Sequence, residues 1–197
     1  MGVVIVTGGT FGLGQSITVE LARRGHRVVA FGLAQPQVSS TAQGVQSLLS
    51  ELEAAGCAAD VLEADVSSAA DVQRVVEHTM KRHGAIHGLV NNAAIGPLGT
   101  ILDTDETLFD RIVSVNLKGT YLMSRAVLPH MRHAGGGSIV NIGSGAGWGK
   151  PNMAAYSASK GGIVALSMAM AYDHFHDRVR VNVAIPGGGG IMSGMSV

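Results

Sequence analysis

Two side chains with acid–base potential stand one helical turn apart in "YSASK", residues 156–160. Tyr156 and Lys160 are four positions apart, so on a helix they share a face. A phenol ordinarily titrates near ~10 and is a poor base at neutral pH, but a neighbouring ammonium favours the phenolate and draws that value down. The same pair also fits the surface of any amphipathic helix, so its company has to decide. A second stretch, "TGGTFGLG" (7–14), spaces Gly8, Gly12 and Gly14 as G-x-x-x-G-x-G. Glycines in that pattern allow a tight turn and a close approach of backbone to a pyrophosphate, and a following helix offers its unpaired N–H groups to the phosphates.

These residues need elements that position them. Apolar runs at 3–8, 27–32, 57–65, 86–93, 138–144 and 178–184 read as buried strands. Helical spacing covers 14–26, about 39–55, 69–83, 105–133 and 154–173, with Ser67 and Ser68 as candidate N-caps of the third helix. Strand and helix alternate throughout, which predicts a parallel sheet covered on both faces by right-handed crossover helices. The glycine stretch then falls at the first strand-to-helix junction, and Tyr156 and Lys160 fall on the helix after the fifth strand.

"TGGTFGLG", "NNAA" (91–94), Asn116, Ser144, "YSASK" and "IPG" (185–187) occur in the order found in short-chain dehydrogenases/reductases. Over residues 2–190 the chain resembles that family, including members similar to 3-oxoacyl-carrier-protein reductase. The resemblance implies a Rossmann-type, doubly wound α/β/α fold with strand order 3-2-1-4-5-6, and an NAD(P)-dependent oxidoreductase interconverting a carbonyl and an alcohol. It implies Tyr156 as the acid/base, Lys160 on the nicotinamide ribose, Ser144 on the substrate oxygen and Asn116 as holder of a water behind Lys160. Gly8, Thr10, Phe11, Gly12, Leu13 and Gly14 would enclose the dinucleotide's phosphates, Asp65 and Val66 would meet its adenine, and Asn92, Ala93 and Ala94 would line its ribose. Pro186 and Gly187 would pack beside the nicotinamide. Ala94 stands where relatives usually have Gly. Ser144 lies twelve residues before Tyr156, where the family commonly has thirteen, a position held here by Gly143. The register of "SIVNIGS" favours Ser144 and a following turn one residue shorter.

The choice between NAD and NADP stays open. Gly32 and Leu33 end the second strand with no acid to repel a 2′-phosphate and no cation to pair with one, while Ser39 and Ser40 could bond a phosphate or cap a helix. Resemblance alone implies pairing of the helices at 105–133 and 154–173 into a homodimer or homotetramer. A rival reading keeps dinucleotide binding but no turnover, as in a sensor or scaffold.

Composition narrows the alternatives. In 197 residues, 46% are hydrophobic and 14% charged, which predicts one heavily buried domain spanning 1–197. The 14 Lys and Arg balance the 14 Asp and Glu, so no net field favours nucleic acid or an anionic membrane. A single cysteine, Cys57, permits no internal disulfide. "MGVVIVTGG" has no basic leader region and no apolar run approaches ~18 residues, so a soluble, cytoplasmic protein is expected. The eight histidines include no H-E-x-x-H; solvated positions at helix ends account for them, and no metal is expected. "SGAGWGKP" (144–151) fails as a phosphate loop at Ser144 and Pro151. After Pro186 and Gly187 relatives continue through a substrate lid and a seventh strand, and Gly189 and Ile191 hold positions near the carboxamide. The expectation is that residues 1–197 lack both lid and last strand, and with them the determinants of substrate choice.

Overall fold

Each predicted strand forms, and every ladder between them is parallel. The computed structural model describes residues 1–33 and 41–187, so the readings placed on Ser39, Ser40, Gly189 and Ile191 lie outside the described residues. The strands are β1 (Val3–Thr7), β2 (Arg27–Gly32), β3 (Ala59–Glu63), β4 (Gly88–Asn91), β5 (Gly137–Ile142) and β6 (Val179–Ala184). Among the described residues they make one sheet in the order β3-β2-β1-β4-β5-β6. The chain winds outward from β1 to β3, then crosses back to lay β4 on the other side of β1. That reversal opens a crevice at the C-terminal ends of β1 and β4, where open α/β sheets bind ligands.

Side-chain alternation along the strands divides the core. Val4, Val6, Val28 and Ala30 face α1 (Gly12–Arg23) and α2 (Thr41–Ala54), meeting Val19, Ala22, Leu48 and Leu52. Ile5, Val29, Phe31, Leu89 and Ile139 point the other way. There they meet Val72, Val75 and Val76 of α3 (Ala69–His83) and Met123, Val127 and Met131 of α5 (Gly119–His133). Met170 of α6 (Ala154–Asp173) completes that layer. Two-sided cover is not uniform among the described residues. β6 alternates, with Val179 and Val181 buried and Arg180 and Asn182 exposed, because α1 and α2 cover only the β3–β1 half of their face.

The predicted helix over 105–133 is interrupted. α4 (Glu106–Val113) starts where Asp105 accepts a hydrogen bond from Leu108 N at 2.7 Å, and it runs into a π turn over Ser114–Lys118 before α5 begins. Gly119 N bonds back to Ser114 O, the five-residue reach of that wider turn. Fully buried Asn116 sits inside it.

Several histidines are not the solvated helix ends that composition suggests. His78 and His83 of α3 each place Nε2 3.1 Å from Asp60 Oδ2, and Arg82 Nε joins the same carboxylate at 3.0 Å. Burial pushes the Asp60 carboxyl up, but the bonds from His78, Arg82 and His83 outweigh it and hold the group below the ordinary carboxylate range. His87 Nδ1 accepts from Val3 N at 3.0 Å, tying the start of β1 to the entry of β4. Among the described residues no three His, Cys, Asp or Glu side chains are grouped to hold a metal, and no helix is long and apolar enough to cross a membrane.

Arg178, just before β6, has φ +58, a left-handed conformation that costs a residue with a Cβ about 1 kcal/mol. Its backbone is fixed there by bonds from Arg178 N to Phe175 O and from Gly137 N to Arg178 O. Arg178→Gly is therefore expected to stabilise the fold by about 0.5–1 kcal/mol, net of the freedom glycine adds to the unfolded chain. Urea unfolding of the two proteins checks this; a loss of stability would mean the arginine side chain outweighs its backbone strain.

Candidate active site

The glycine loop is built for close contact between backbones. Gly8 has φ +60, and a Cβ on it would come within 2.9 Å of the Ala93 backbone. A Cβ on Gly14 would run into Gly8 O and lie 2.5 Å from Asn92 Nδ2. Thr18, fully buried, locks the loop from beneath: its Oγ1 donates within reach of Gly9 O at 3.0 Å and Gly14 O at 2.9 Å. Phe11 takes the N-cap position of α1 without a side-chain bond, and no acid stands in the first turn. The N–H groups at that end are left to an anion, which suits a pyrophosphate. Thr10 Oγ1 occupies the place a side chain on Gly32 would need, 2.7 Å from its Cβ position. Leu13 lies half-buried in the first turn, while the Phe11 ring is exposed.

The switch-point crevice is pinned by Thr7, to which motif reading gave no role, together with Asn92 and Ala93. Buried Thr7 ends β1, and its Oγ1 accepts from Asn92 N at 3.0 Å and Ala93 N at 2.9 Å. Asn92 Nδ2 returns the tie to Thr7 O and Gly8 O, each at 3.1 Å. A hydroxyl at the end of an otherwise apolar strand was the available signal. Ala94 follows on the same crevice wall, half-buried. Asp65 lies beyond β3 with Oδ1 accepting from Ser67 N and Oγ, which leaves its other carboxylate oxygen. Val66 is 7% exposed and belongs to the core, where a Cβ on Gly119 would touch it at 2.9 Å.

The titratable residues meet at the C-terminal end of β5. Ser144 follows that strand and caps a 3-10 turn (Gly145–Trp148), its Oγ accepting from Ala146 N at 3.2 Å. The Ser144 side chain lies close enough to the Tyr156 phenol to favour its ionised form. Gly143 is turned away, its Cβ position 2.6 Å from Val183, so the structure brings Ser144 and not Gly143 to the phenol. Tyr156 is 7% exposed and Lys160 2%. Burial pushes the phenol up, and the neighbouring Ser144 hydroxyl opposes that only in part. Burial pushes the Lys160 ammonium down to about 8.

The expected lowering of the phenol by its ammonium neighbour is therefore not what the geometry produces. Lys160 Nζ donates to Ile142 O at 2.7 Å and stands 5.6 Å from the centroid of the tyrosine ring. The ammonium is committed to a carbonyl, and desolvation governs both groups. Asn116 joins the site as a bracket. Its Oδ1 accepts from Ile95 N at 2.8 Å, and its Nδ2 donates to Ile95 O at 2.9 Å and to Ser159 Oγ at 3.0 Å. Ser159 donates in turn to Tyr156 O at 2.7 Å, so the loop after β4 is tied to the turn of α6 that carries the phenol. Asn116 O also accepts from Thr120 Oγ1 at 2.8 Å. Pro186 and Gly187 follow β6 beside this end of the sheet, with Ile185 3.2 Å from the Cβ position of Gly143.

Comparison with known proteins agrees with this architecture. The short chain dehydrogenase family profile matches residues 2–195. The chain is similar to 2-(S)-hydroxypropyl-CoM dehydrogenase 3 of Xanthobacter autotrophicus, 40% identical over 186 residues covering 94% of this chain and 70% of that protein. It is also similar to dehydrogenase/reductase SDR family member 4 of Homo sapiens, 34% identical over 94% of this chain and 65% of that one. An actinorhodin polyketide ketoreductase variant solved with NADPH superimposes with a TM-score of 0.87 at 33% identity, over 94% of this chain and 70% of that chain. With the glycine loop at the sheet's switch point and the sequence matched almost from end to end, the chain belongs to the short chain dehydrogenase family, NAD(P)-dependent enzymes that interconvert a carbonyl and an alcohol.

Proposed function

We propose that Tyr156 is the acid/base of this carbonyl–alcohol reaction, with Ser144 bonding the same reacting oxygen and Lys160 and Asn116 supporting proton supply. One observation carries the reading: the Ser144 hydroxyl stands beside the Tyr156 phenol at the C-terminal end of β5, close enough to favour its ionised form. Ser144 Oγ already accepts from Ala146 N, so its own proton is the one it has to give. An oxygen placed between the two hydroxyls would receive a hydrogen bond from Ser144 and a proton from Tyr156. A bound nicotinamide dinucleotide supplies the hydride carbon, and the glycine loop, Asn92, Ala93, Lys160, Pro186 and Gly187 are the residues that would hold it.

In carbonyl reduction the Tyr156 phenol gives up its proton to the nascent alkoxide. In alcohol oxidation the phenolate takes the proton back. Lys160 is mostly protonated at neutral pH because burial leaves its ammonium titrating at about 8, and it is the group behind Tyr156 from which a proton is replaced. Asn116 would hold the connecting water behind Lys160. Leu98 and Trp148, 73% and 68% exposed on the turns leaving β4 and β5, favour a substrate with an apolar flank. The two turns act as one wall, joined by bonds from Gly99 N to Asn152 O and from Ala154 N to Gly99 O.

The pH dependence follows in sign. Reduction needs the protonated phenol, which burial pushes up, so its rate stays level through neutral pH and falls only on the alkaline side. Oxidation needs the phenolate and rises with pH. Initial rates in both directions between about pH 6 and 10, with aliphatic and aromatic carbonyl–alcohol pairs, test this. Gly32 offers neither an acid nor a base to the adenosine ribose. We therefore expect kcat/KM for NADH and NADPH to agree within about tenfold, or ~1.4 kcal/mol. Cofactor binding without turnover across the panel would favour the sensor reading and sink this one.

A further inference from the structure

We infer that Gly147 and Gly161 are positioning residues, whose backbone-to-backbone contact holds Ser144 in line with Tyr156. The inference rests on the roles proposed above for those two hydroxyls. The turn after Ser144 is short, and it reaches α6 at the residue following Lys160. A Cβ on Gly161 would lie 2.9 Å from Gly147 O, and one on Gly147 would lie 3.1 Å from Gly161 N and from Lys160 C. Real Cβ atoms essentially never approach backbone as closely as 2.9 Å, and rarely as closely as 3.1 Å. A side chain at Gly161 must therefore push the turn and α6 apart, and one at Gly147 must shift them by a few tenths of an ångström.

The push would be felt at Ser144 because the turn is also what orients that residue. Gly147 N donates to Ser144 O at 3.0 Å, and Ala146 N donates to Ser144 Oγ at 3.2 Å. Ala146, between them, is 5% exposed and cannot swing outward without losing its own packing. Meanwhile α6 carries Tyr156 and Lys160 and is braced on its far side by the Asn116–Ser159 bond. The glycine contact therefore sets the distance between the two halves of the hydroxyl pair: Ser144 on the turn, Tyr156 on the helix. The neighbouring glycine offers a control. Gly145 is exposed, and a Cβ there would meet nothing within 4 Å.

The experiment compares Gly147→Ala, Gly161→Ala, Gly145→Ala, Ser144→Ala and the double variant Ser144→Ala with Gly161→Ala. Kinetics are followed by nicotinamide absorbance, and the phenol is titrated by ultraviolet difference against Tyr156→Phe without added cofactor. A displacement of a few tenths of an ångström is expected to lower kcat by up to about tenfold in Gly161→Ala and by less in Gly147→Ala, with little change in KM. The phenol should titrate at higher pH in both, as in Ser144→Ala, because the hydroxyl that favours the phenolate has been moved away or removed. Gly145→Ala should match the parent protein. The double variant should be no slower than Ser144→Ala, since the glycine acts only through Ser144. Losses that multiply in the double variant, or an unmoved phenol titration, would overturn the inference. If Gly161→Ala fails to fold by thermal melting, Gly147→Ala, with the milder contact, decides by the same criteria. Should Tyr156→Phe itself retain turnover, the failure lies in the role given to the phenol and not in the glycine contact.

Discussion

Tyr156→Phe is expected to lower kcat by about 10²–10⁴-fold while leaving the fold and dinucleotide binding close to normal. The ring is 7% exposed, and phenylalanine keeps its packing in full. The lost hydroxyl has Ser144 as a polar neighbour, and Ser144 retains its bond from Ala146 N. Removing one such hydroxyl changes stability by about 1 kcal/mol at most. Lys160 keeps its bond to Ile142 O, so no buried ammonium is orphaned. The loss should therefore be confined to the proton-transfer step: kcat falls, KM holds, and the alkaline inflection assigned to the phenol disappears from the residual activity. Fluorescence of bound reduced nicotinamide reports the dinucleotide site independently. A variant with more than a tenth of the parent turnover would remove Tyr156 from its proposed role.

Much of the fold was legible because β-α alternation is repetitive and each strand carries its own apolar run. The strand order followed from resemblance, and the parallel ladders from the alternation itself. The candidate site residues stood out in the sequence where the proposed chemistry asks for a particular side chain, as with Tyr156, Lys160 and Asn92. The π turn was not. Its single extra residue at Ser114–Lys118 leaves the apolar spacing on either side intact, so the sequence over 105–133 reads as one helix. The direction of the Lys160 ammonium was equally hidden, because it is set by a carbonyl, Ile142 O, and every residue has one. His83 misled for a related reason: a histidine at a helix end looks solvated until a partner on another strand, here Asp60, arrives from more than twenty residues away. Glycines at 147 and 161 say nothing individually. Their meaning is a distance, and only the folded chain brings them together.

Gly14→Ala should show the opposite pattern to Tyr156→Phe, with binding and stability lost before chemistry is reached. The new methyl group would be driven into Gly8 O and would lie 2.5 Å from Asn92 Nδ2 and 2.8 Å from Gly8 C. None of those atoms is the free end of a flexible side chain. Asn92 Nδ2 is bonded to Thr7 O and Gly8 O, and the far side of the loop is bonded to Thr18 Oγ1 through Gly9 O and Gly14 O. Relief therefore requires the loop and α1 to separate, breaking several of these bonds at once. Overpacking commonly costs 1–3 kcal/mol, and contact with backbone on a braced loop puts this case at about 3 kcal/mol or more. Separation also spoils the approach of backbone to the phosphates, so saturating NADH or NADPH, which should raise the parent's melting temperature by mass action, should raise the variant's little or not at all. Urea unfolding without cofactor measures the first effect, and melting with and without cofactor the second. A variant as stable as its parent and equally stabilised by cofactor would show that Gly14 serves neither packing nor phosphate binding, and the dinucleotide site would then have to be sought away from the β1–α1 turn.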